Sequence, residues 1–495
     1  MEQIASVSAL FSPTAALGLL VALLTAVLVR YLLPNASHKP PYPPCIRGWI
    51  PWFGAAFEMG KAPLEFIARA KEKHGPVFTV LAAGNRLTFL NGKEGVSAFF
   101  SSKDADFQQA VQKPVQHTAS INKADFMKSH SSIHETMKLR LSQNRLNLYF
   151  DRIRNEFGTR IELLDPEGTE DLFTLVKQVM YPAVVDTLFG KGLCPTGKDN
   201  LKEFAEHFWK FDEGFEYGSQ LPEFLLRDWS QSKQWLLSLF KKIVIEAEMN
   251  NPLEETSKTL HQHVLDTLKG IATYNNSLLL LWASQANANP VTFWTLAFII
   301  SDPLVYKTAM DEIYSVFGKT GNSPLNINEA ELKRLPFIKN CVLEAIRLRS
   351  PGAITRKAVQ PLKIYNYIIP AGDLLMLSPY WLHRDPVLFP EPEMFRPERW
   401  SKANLEKNVF LEGFVAFGGG KYQCPGRWFA LMEMHMLVVM MLYKYEFSLL
   451  DPLPKQVASI EDAQETGDCK EIICILMAAT VIYNVPYNVP YGSAF

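Results

Sequence analysis

A glycine-rich loop that ends in a cysteine constrains this chain more than any other feature of its sequence. Residues 417–426 read Phe-Gly-Gly-Gly-Lys-Tyr-Gln-Cys-Pro-Gly, and a largely apolar stretch without glycine or proline follows from Trp428 to Tyr445. Consecutive glycines tolerate positive φ, so they let the backbone approach a bound group closely. A proline suits the first turn of a helix, and a helix amino terminus favours the thiolate form of a nearby cysteine. The pattern predicts that Cys424 is a metal ligand in front of a buried helix, with a buried free thiol as the alternative.

The surroundings of that sulfur can also be predicted. A metal-bound thiolate is stabilised by N–H donors around it. Pro425 has no N–H to give, so the backbone N–H groups of Gly426 and Arg427 are the expected donors. The segment after the cysteine would therefore supply both the helix and the hydrogen bonds that the ligand needs.

The composition excludes several classes of protein. Lys and Arg number 50 and Asp and Glu number 51, and a net charge of -1 argues against a nucleic-acid-binding protein, which would show a basic surplus. The six cysteines are scattered without a CxxC pair, unlike the dense cysteines of a small secreted disulfide scaffold. With 48% hydrophobic residues in 495, the chain can bury a large core.

The first residues form a hydrophobic segment. Residues 8–33 are almost wholly apolar, and Arg30 is their only charge; about 20 such residues cross a bilayer as a helix. A cleaved signal peptide is the alternative, but Glu2 stands where a basic region would precede it. The basic residues follow the segment instead: Arg30, His38, Lys39 and Arg47. This asymmetry predicts that residues 1–33 are a single transmembrane anchor and that the body of the chain is cytosolic.

The rest of the chain predicts one helix-rich body with a small β portion. Residues 34–48 contain five prolines and form an extended hinge, and residues 49–456 form the body. Residues 78–90 predict two strands around a Gly84-Asn85 turn, and residues 363–377 predict further strands. Residues 122–319 are mainly helical in pattern. Residues 457–495 form an atypical tail in which prolines disfavour a paired strand, and packing of the tail as a strand is the alternative.

Four motifs together resemble one family. The loop Phe417-x-x-Gly420-x-x-x-Cys424-x-Gly426 resembles the haem loop of the cytochrome P-450 superfamily. Three further elements occur in the order of that family: Glu344-Ala-Ile-Arg347, His383-Arg-Asp-Pro386 and Phe395-Arg-Pro-Glu-Arg-Trp400. The resemblance implies the mainly α fold of that family, a haem whose iron is held by the Cys424 thiolate, and, with the anchor and hinge, a microsomal enzyme.

The resemblance also assigns residues around the haem. Glu344 and Arg347 share a helix face, and the family adds Arg399 as the third member of a structural group that holds the ligand loop. Arg356 matches a position that binds a haem propionate in the family, with Lys357 as the alternative. Many members carry Arg or His two residues before the ligand. This chain has Tyr422 there, so either Lys421 substitutes for that residue or the propionate relies on Arg356.

The oxygen-activating helix departs from the usual pattern of the family. In residues 278–294, the usual acid and threonine fall on Ala286 and Asn287. An amide can donate and accept but does not titrate near neutrality, so Asn287 is expected to hold a water or oxygen by hydrogen bonds. The alternative is a polar residue satisfied by its neighbours. Pro290 should kink the helix there.

Asn287 in the sequence Trp-Ala-Ser-Gln-Ala-Asn resembles the group that contains sterol 7α-hydroxylases and prostacyclin synthase. The wider resemblance implies 7α-hydroxylation of an oxysterol, 24-hydroxycholesterol, on the route to bile acids. Electrons would come from NADPH through a membrane-bound reductase, at the endoplasmic reticulum. A reductase-independent isomerase is one alternative. A haem- or sterol-binding protein without turnover is another, since the match ends near Gln456, where the family continues with a hairpin over the substrate pocket.

Overall fold

The structure is a computed structural model that describes residues 18, 21–22, 24–25, 41–250, 252, 254–319, 325–350, 352–405, 410–453 and 480–484. They fall into two compact units. The smaller unit lies within Met1–Asp106 and Thr355–Leu377, and the larger lies within Phe107–Ile354, Ser378–Val457 and Asp468–Phe495. The expected boundaries of hinge, body and tail stay predictions.

The described residues are mainly helical, as predicted. The helices are α1 (Ala56–Lys61), α2 (Pro63–His74), α3 (Gly92–Ser101), α4 (Phe107–Ala119), α5 (Lys123–Arg140), α6 (Asn147–Ile161), α7 (Leu172–Phe189), α8 (Leu201–Glu213), α9 (Phe215–Gln220), α10 (Arg227–Met249), α11 (Leu260–Leu268), α12 (Thr273–Gln285), α13 (Ala288–Ser301), α14 (Pro303–Phe317), α15 (Glu329–Lys333), α16 (Pro336–Arg349), α17 (Pro379–Leu382) and α18 (Arg427–Lys444). The strands are β1 (Cys45–Ile46), β2 (Val77–Ala82), β3 (Asn85–Leu90), β4 (Ala105–Asp106), β5 (Glu167–Asp171), β6 (Ile354–Ala358), β7 (Leu362–Ile364), β8 (Tyr367–Ile369), β9 (Leu374–Leu377), β10 (Glu446–Leu449) and β11 (Thr480–Asn484).

The smaller unit is built on a six-stranded sheet in the order β1-β2-β3-β9-β6-β4. Strands β2 and β3 form the predicted hairpin, from Val77↔Leu90 to Ala82↔Asn85. Its turn residues are Ala83 and Gly84, both with positive φ, one position earlier than predicted. Strand β9 pairs parallel to β3, and β7 and β8 form a separate two-stranded sheet, so the strands predicted in residues 363–377 divide between two sheets.

The core of the larger unit surrounds three packed helices, α13, α16 and α18. Helix α18 has apolar residues on all sides, which predicts a buried helix, and its residues from Trp428 to Leu442 are almost all buried. Helix α13 ends at Ser301, where Asp302 caps the next helix with its side chain and Pro303 starts it. The segments that precede α13 and α18 are therefore joined directly to helices that are packed in the core.

The tail contributes a strand to the larger unit. Strand β11 lies between β10 and β5 and pairs antiparallel with both, and Val481 and Tyr483 are buried. Residues 480–484 therefore form a paired strand, which was the open alternative to the expectation that prolines disfavour one. The two prolines behind that expectation, Pro486 and Pro490, come after the strand and do not interrupt its hydrogen bonds. The remainder of the 457–495 tail lies outside the described residues.

The predicted anchor at residues 1–33 also lies outside the described residues, apart from five positions between 18 and 25. These are helical and exposed. Within the described part of the chain, one helix, α7, is long and apolar enough to cross a membrane. Because 78% of that stretch is buried inside the protein, α7 is a core helix.

Candidate active site

The cysteine loop closes on itself through backbone hydrogen bonds. The amide of Cys424 donates to the carbonyl of Phe417 at 2.8 Å, and the amide of Gln423 donates to Gly420 at 3.3 Å. Gly418 and Gly420 have positive φ, of 68° and 64°, which confirms the need for glycine at these two positions. Helix α18 begins at Arg427, so Pro425 precedes the helix rather than lying in its first turn.

The Cys424 sulfur has the predicted donors. The backbone N–H groups of Gly426 and Arg427 bond to it, and both hydrogen bonds lower the pKa of the thiol, as does the Arg427 charge. Burial is the largest effect, and it raises the pKa. A half-buried thiol with two N–H donors to its sulfur is suited to be an anionic ligand, because a bound cation would outweigh the cost of partial burial.

Glu344 lies at the centre of a hydrogen-bonded group. The Arg347 guanidinium donates to both carboxylate oxygens, at 2.9 and 2.8 Å, and Arg399 Nε donates at 2.9 Å. The Trp400 indole and the Arg396 backbone amide donate to the same carboxylate, at 2.9 and 3.0 Å. Glu344 and Arg347 are both 0% exposed. The structure brings together the three residues expected to form the structural group.

Arg347 connects this group to a histidine whose contacts sequence reasoning missed. Its Nη1 donates to the carbonyls of His383 and Pro392, both at 2.7 Å, and Nη2 donates to Met394. The His383 ring lies 3.0 Å from the Arg347 carbonyl through Nδ1 and 3.0 Å from the Val415 amide through Nε2. Since the amide donates to Nε2, Nδ1 carries the proton and donates to the carbonyl. His383 thus links helix α16 to the residues that precede the cysteine loop.

The buried position of His383 keeps it neutral. Burial lowers its pKa to about 3, and the nearby charges of Arg347 and Arg384 act in the same direction. Its ring stacks on Phe414 with centroids 5.1 Å apart. The signal in the sequence was its place in His383-Arg-Asp-Pro386, but nothing in the pattern indicated that both ring nitrogens would be used.

A second histidine holds the other end of the cysteine loop. His134 Nε2 of helix α5 lies 3.3 Å from the carbonyl of Gln423, and because a carbonyl only accepts, Nε2 donates. Tyr422, which stands where the family often has Arg or His, packs against Phe107, His130 and His134. Lys421 Nζ lies 5.3 Å from the centroid of the Tyr422 ring. The side of the loop where a haem propionate is expected is therefore lined by aromatic rings, and Lys421 is the cation on that side.

Asn287 lies at a break between two helices. Helix α12 ends at Gln285 and α13 begins at Ala288. Pro290 has no N–H for the carbonyl of Ala286 and its ring crowds that carbonyl, so the helix is interrupted beside the position where a kink was predicted. The Asn287 side chain is exposed and makes no hydrogen bond within the described residues. It is thus not a polar residue satisfied by described neighbours, and its amide remains available.

A comparison with protein-family models identifies the family. The model named Cytochrome P450 matches residues 43–461. The chain belongs to the cytochrome P450 family. The 24-hydroxycholesterol 7-alpha-hydroxylases of Homo sapiens and Mus musculus are 51% and 50% identical to it, and each match covers 86% of this chain and 92% of the relative. A solved structure of retinoic acid-bound cyanobacterial CYP120A1 matches with a TM-score of 0.72, at 18% identity, over 90% of this chain and 100% of that chain, which shows the fold.

Cytochromes P450 are haem-thiolate enzymes, and the residues of this P450 fit that cofactor. Cys424 supplies a half-buried sulfur on a loop whose glycines allow close approach, and two backbone amides donate to it. Soft thiolate ligands suit haem iron. Arg356 belongs to the smaller unit, on β6, where it is 3% exposed and lies 5.1 Å from the Phe99 ring. It is therefore not a solvated surface cation, and its contact with a propionate stays a prediction, as does that of Lys421.

Proposed function

We propose that this cytochrome P450 hydroxylates an oxysterol at the 7α position, with 24-hydroxycholesterol as the substrate. The observation that carries the proposal is the 51% identity to the human 24-hydroxycholesterol 7-alpha-hydroxylase over 92% of its length. The test supplies the full-length protein with NADPH, a cytochrome P450 reductase and 24-hydroxycholesterol. We expect the 7α-hydroxylated sterol, identified by mass spectrometry and NMR. Hydroxylation at another carbon would contradict the proposal.

The residues of the site suit such a reaction. When bound, the haem supplies oxygen activation and the insertion of one oxygen atom into an unactivated C–H bond. In the proposal, Cys424 would hold the haem iron through its thiolate, and the group around Glu344 together with His383 would hold the loop that carries it. Asn287 presents Nδ2 as a donor and Oδ1 as an acceptor, so it can hold a water molecule that delivers protons to the oxygen site.

Asn287 gives a prediction that separates oxygen handling from sterol binding. Asn287→Ala should leave sterol affinity nearly unchanged but uncouple the reaction, because a water that lacks its hydrogen-bond partners delivers protons poorly. We expect NADPH consumption to continue while hydrogen peroxide rises and hydroxylated sterol falls by roughly tenfold or more, less than the roughly 10²–10⁴-fold of a group that transfers the proton itself, because Asn287 acts through a water. Peroxide and product are measured in the same reaction.

Asn287→Thr is the matched variant. It restores the hydroxyl that is common at this position in the family, and we expect only partial recovery because Ala286 supplies no acid. Unchanged coupling in Asn287→Ala would mean that Asn287 is not part of the proton path.

An isomerase is the second candidate. Rearrangement of an endoperoxide needs no titrating proton donor, and this site has Asn287 and no acid at Ala286. An isomerase would turn over an endoperoxide without NADPH or reductase. Product formation from 24-hydroxycholesterol that stops when the reductase is omitted would exclude this candidate.

We also propose that residues 1–33 anchor the enzyme in the endoplasmic reticulum membrane as a single helix, with the body cytosolic. Val21 and Leu24 within this segment are 54% and 58% exposed, which suits contact with lipid. Deletion of residues 1–33 should convert the enzyme from a carbonate-resistant to a carbonate-extractable form, measured by fractionation. An unrelated membrane-spanning helix fused in its place should restore resistance. Full resistance of the deletion variant would show that other parts of the chain anchor it.

A further inference from the structure

The strip of α12 that leads to Asn287 is accessible along one face. Trp282, Ala283, Ala286 and Asn287 have the spacing i, i+1, i+4 and i+5, so they lie on one side of the helix, and none of them is buried. Leu278, Leu281 and Gln285, which lie away from this strip, are buried. A sterol that reaches Asn287 would lie along this face, which is apolar apart from Asn287 and the indole N–H of Trp282.

Trp282 is held at one edge of the strip by two contacts. Its ring stacks on Phe215 of α9, with centroids 3.7 Å apart and planes 6° from parallel. Its Nε1 donates to Oδ1 of Asp212, in α8, at 2.9 Å. The indole therefore fixes the carboxyl group of Asp212 beside the accessible strip.

Asp212 has one oxygen engaged and one available. Oδ1 accepts from Trp282, while Oδ2 has no hydrogen-bond partner within the described residues, and it is not sealed from solvent. Burial raises the pKa of this carboxyl to about 7, and the nearby charge of Glu213 acts in the same direction. Near neutral pH the group is thus present in both forms, so it can accept a hydrogen bond from a hydroxyl or donate one to it.

We infer that Asp212 is a specificity-determining residue that binds a hydroxyl group of the sterol through Oδ2, with Trp282 as the residue that positions it. The inference rests on the proposed function. An apolar pocket rejects a ligand without a hydroxyl only weakly unless a polar partner is left unpaired. Asp212 supplies that partner, at the edge of an otherwise apolar strip. The remaining sterol surface would be held by apolar contact, which does not discriminate one oxysterol from another.

The test measures sterol affinity of the full-length haem-loaded enzyme from the spectral change on binding. The ligands are 24-hydroxycholesterol, cholesterol, which lacks the side-chain hydroxyl, and the 3-deoxy analogue of 24-hydroxycholesterol, which lacks the ring hydroxyl. We expect the wild-type enzyme to prefer 24-hydroxycholesterol over one of the two analogues by about tenfold, the scale of one hydrogen bond. Asp212→Ala should abolish that preference by weakening the two ligands that carry the bound hydroxyl, while the affinity for the analogue that lacks it stays unchanged. The analogue that the wild-type enzyme binds more weakly lacks the hydroxyl that Asp212 binds, so it identifies that hydroxyl.

Two further variants separate recognition from support of the fold. Glu213→Ala removes the adjacent carboxylate, which is exposed, and should change no affinity. Trp282→Phe keeps a ring to stack on Phe215 but removes the donor to Oδ1, so it should lose part of the preference. Equal weakening of all three ligands by Asp212→Ala, or an unchanged preference, would overturn the inference. A wild-type enzyme that binds 24-hydroxycholesterol but makes no 7α product would instead overturn the proposed function alone.

Discussion

Replacement of Cys424 by alanine is expected to abolish sterol hydroxylation. The variant would lose the thiolate that would hold the haem iron and supply electron density to it, and an alanine side chain cannot bind a metal. The carbon monoxide complex of the reduced protein should lose its thiolate-type spectrum. Activity and spectrum should disappear together, because both depend on the same sulfur.

The matched control is Cys194→Ala. Cys194 is a buried free thiol in the same unit as Cys424, and burial holds its pKa far above the usual range, so it resembles an inert packing residue. We expect this variant to keep the thiolate-type spectrum. A Cys424→Ala protein that kept this spectrum would show that another residue holds the iron.

Glu344→Ala is expected to have the largest effect on stability. The substitution leaves the guanidinium groups of Arg347 and Arg399, which are 0% and 10% exposed as side chains, without their shared carboxylate. Breaking a buried ion pair from one side costs about 3–5 kcal/mol. The haem content per folded protein should fall sharply, because the loop with Cys424 is tied to this group through His383. Soluble yield and haem content are the measurements.

Glu329→Ala is the control for the loss of a carboxylate as such. Glu329 pairs with Lys333 at 2.6 Å on an exposed helix, with side chains 48% and 70% exposed, and such pairs contribute at most about 1 kcal/mol. Its haem content should equal that of the wild type. If Glu344→Ala folded and bound haem equally well, the group around Glu344 would not support the ligand loop.

Much of this site could be predicted from sequence because its determinants are local. The glycines before Cys424 and the pairing of Glu344 with Arg347 each depend on a few consecutive positions. The position of the helix break could be predicted from Pro290 in the same way, since a proline cannot donate to the carbonyl four residues earlier and crowds it. The predicted position of the hairpin turn was wrong by one residue, because Ala83 adopts a positive φ that alanine rarely takes.

Contacts between distant parts of the chain could not be predicted. His383 bonds to a residue 36 positions away, and His134 to one 289 positions away. Neither pairing leaves a periodic pattern, because each depends on how whole helices pack rather than on spacing within one helix. Asp212 and Trp282 are likewise 70 positions apart, and the raised pKa of Asp212 arises mainly from the burial that this packing creates.

The central position of β11 has a consequence for the order in which the protein assembles. Strands β5 and β10 flank β11 without pairing with each other, and β11 meets β5 across roughly 300 positions of the chain, a separation that makes such pairing slow. During synthesis, β5 leaves the ribosome early. It then lacks its partner strand β11 until residues 480–484 have also left the ribosome. An unpaired edge invites pairing with other chains. A chaperone that covers residues 167–171 during this interval would therefore raise the yield of correctly folded protein.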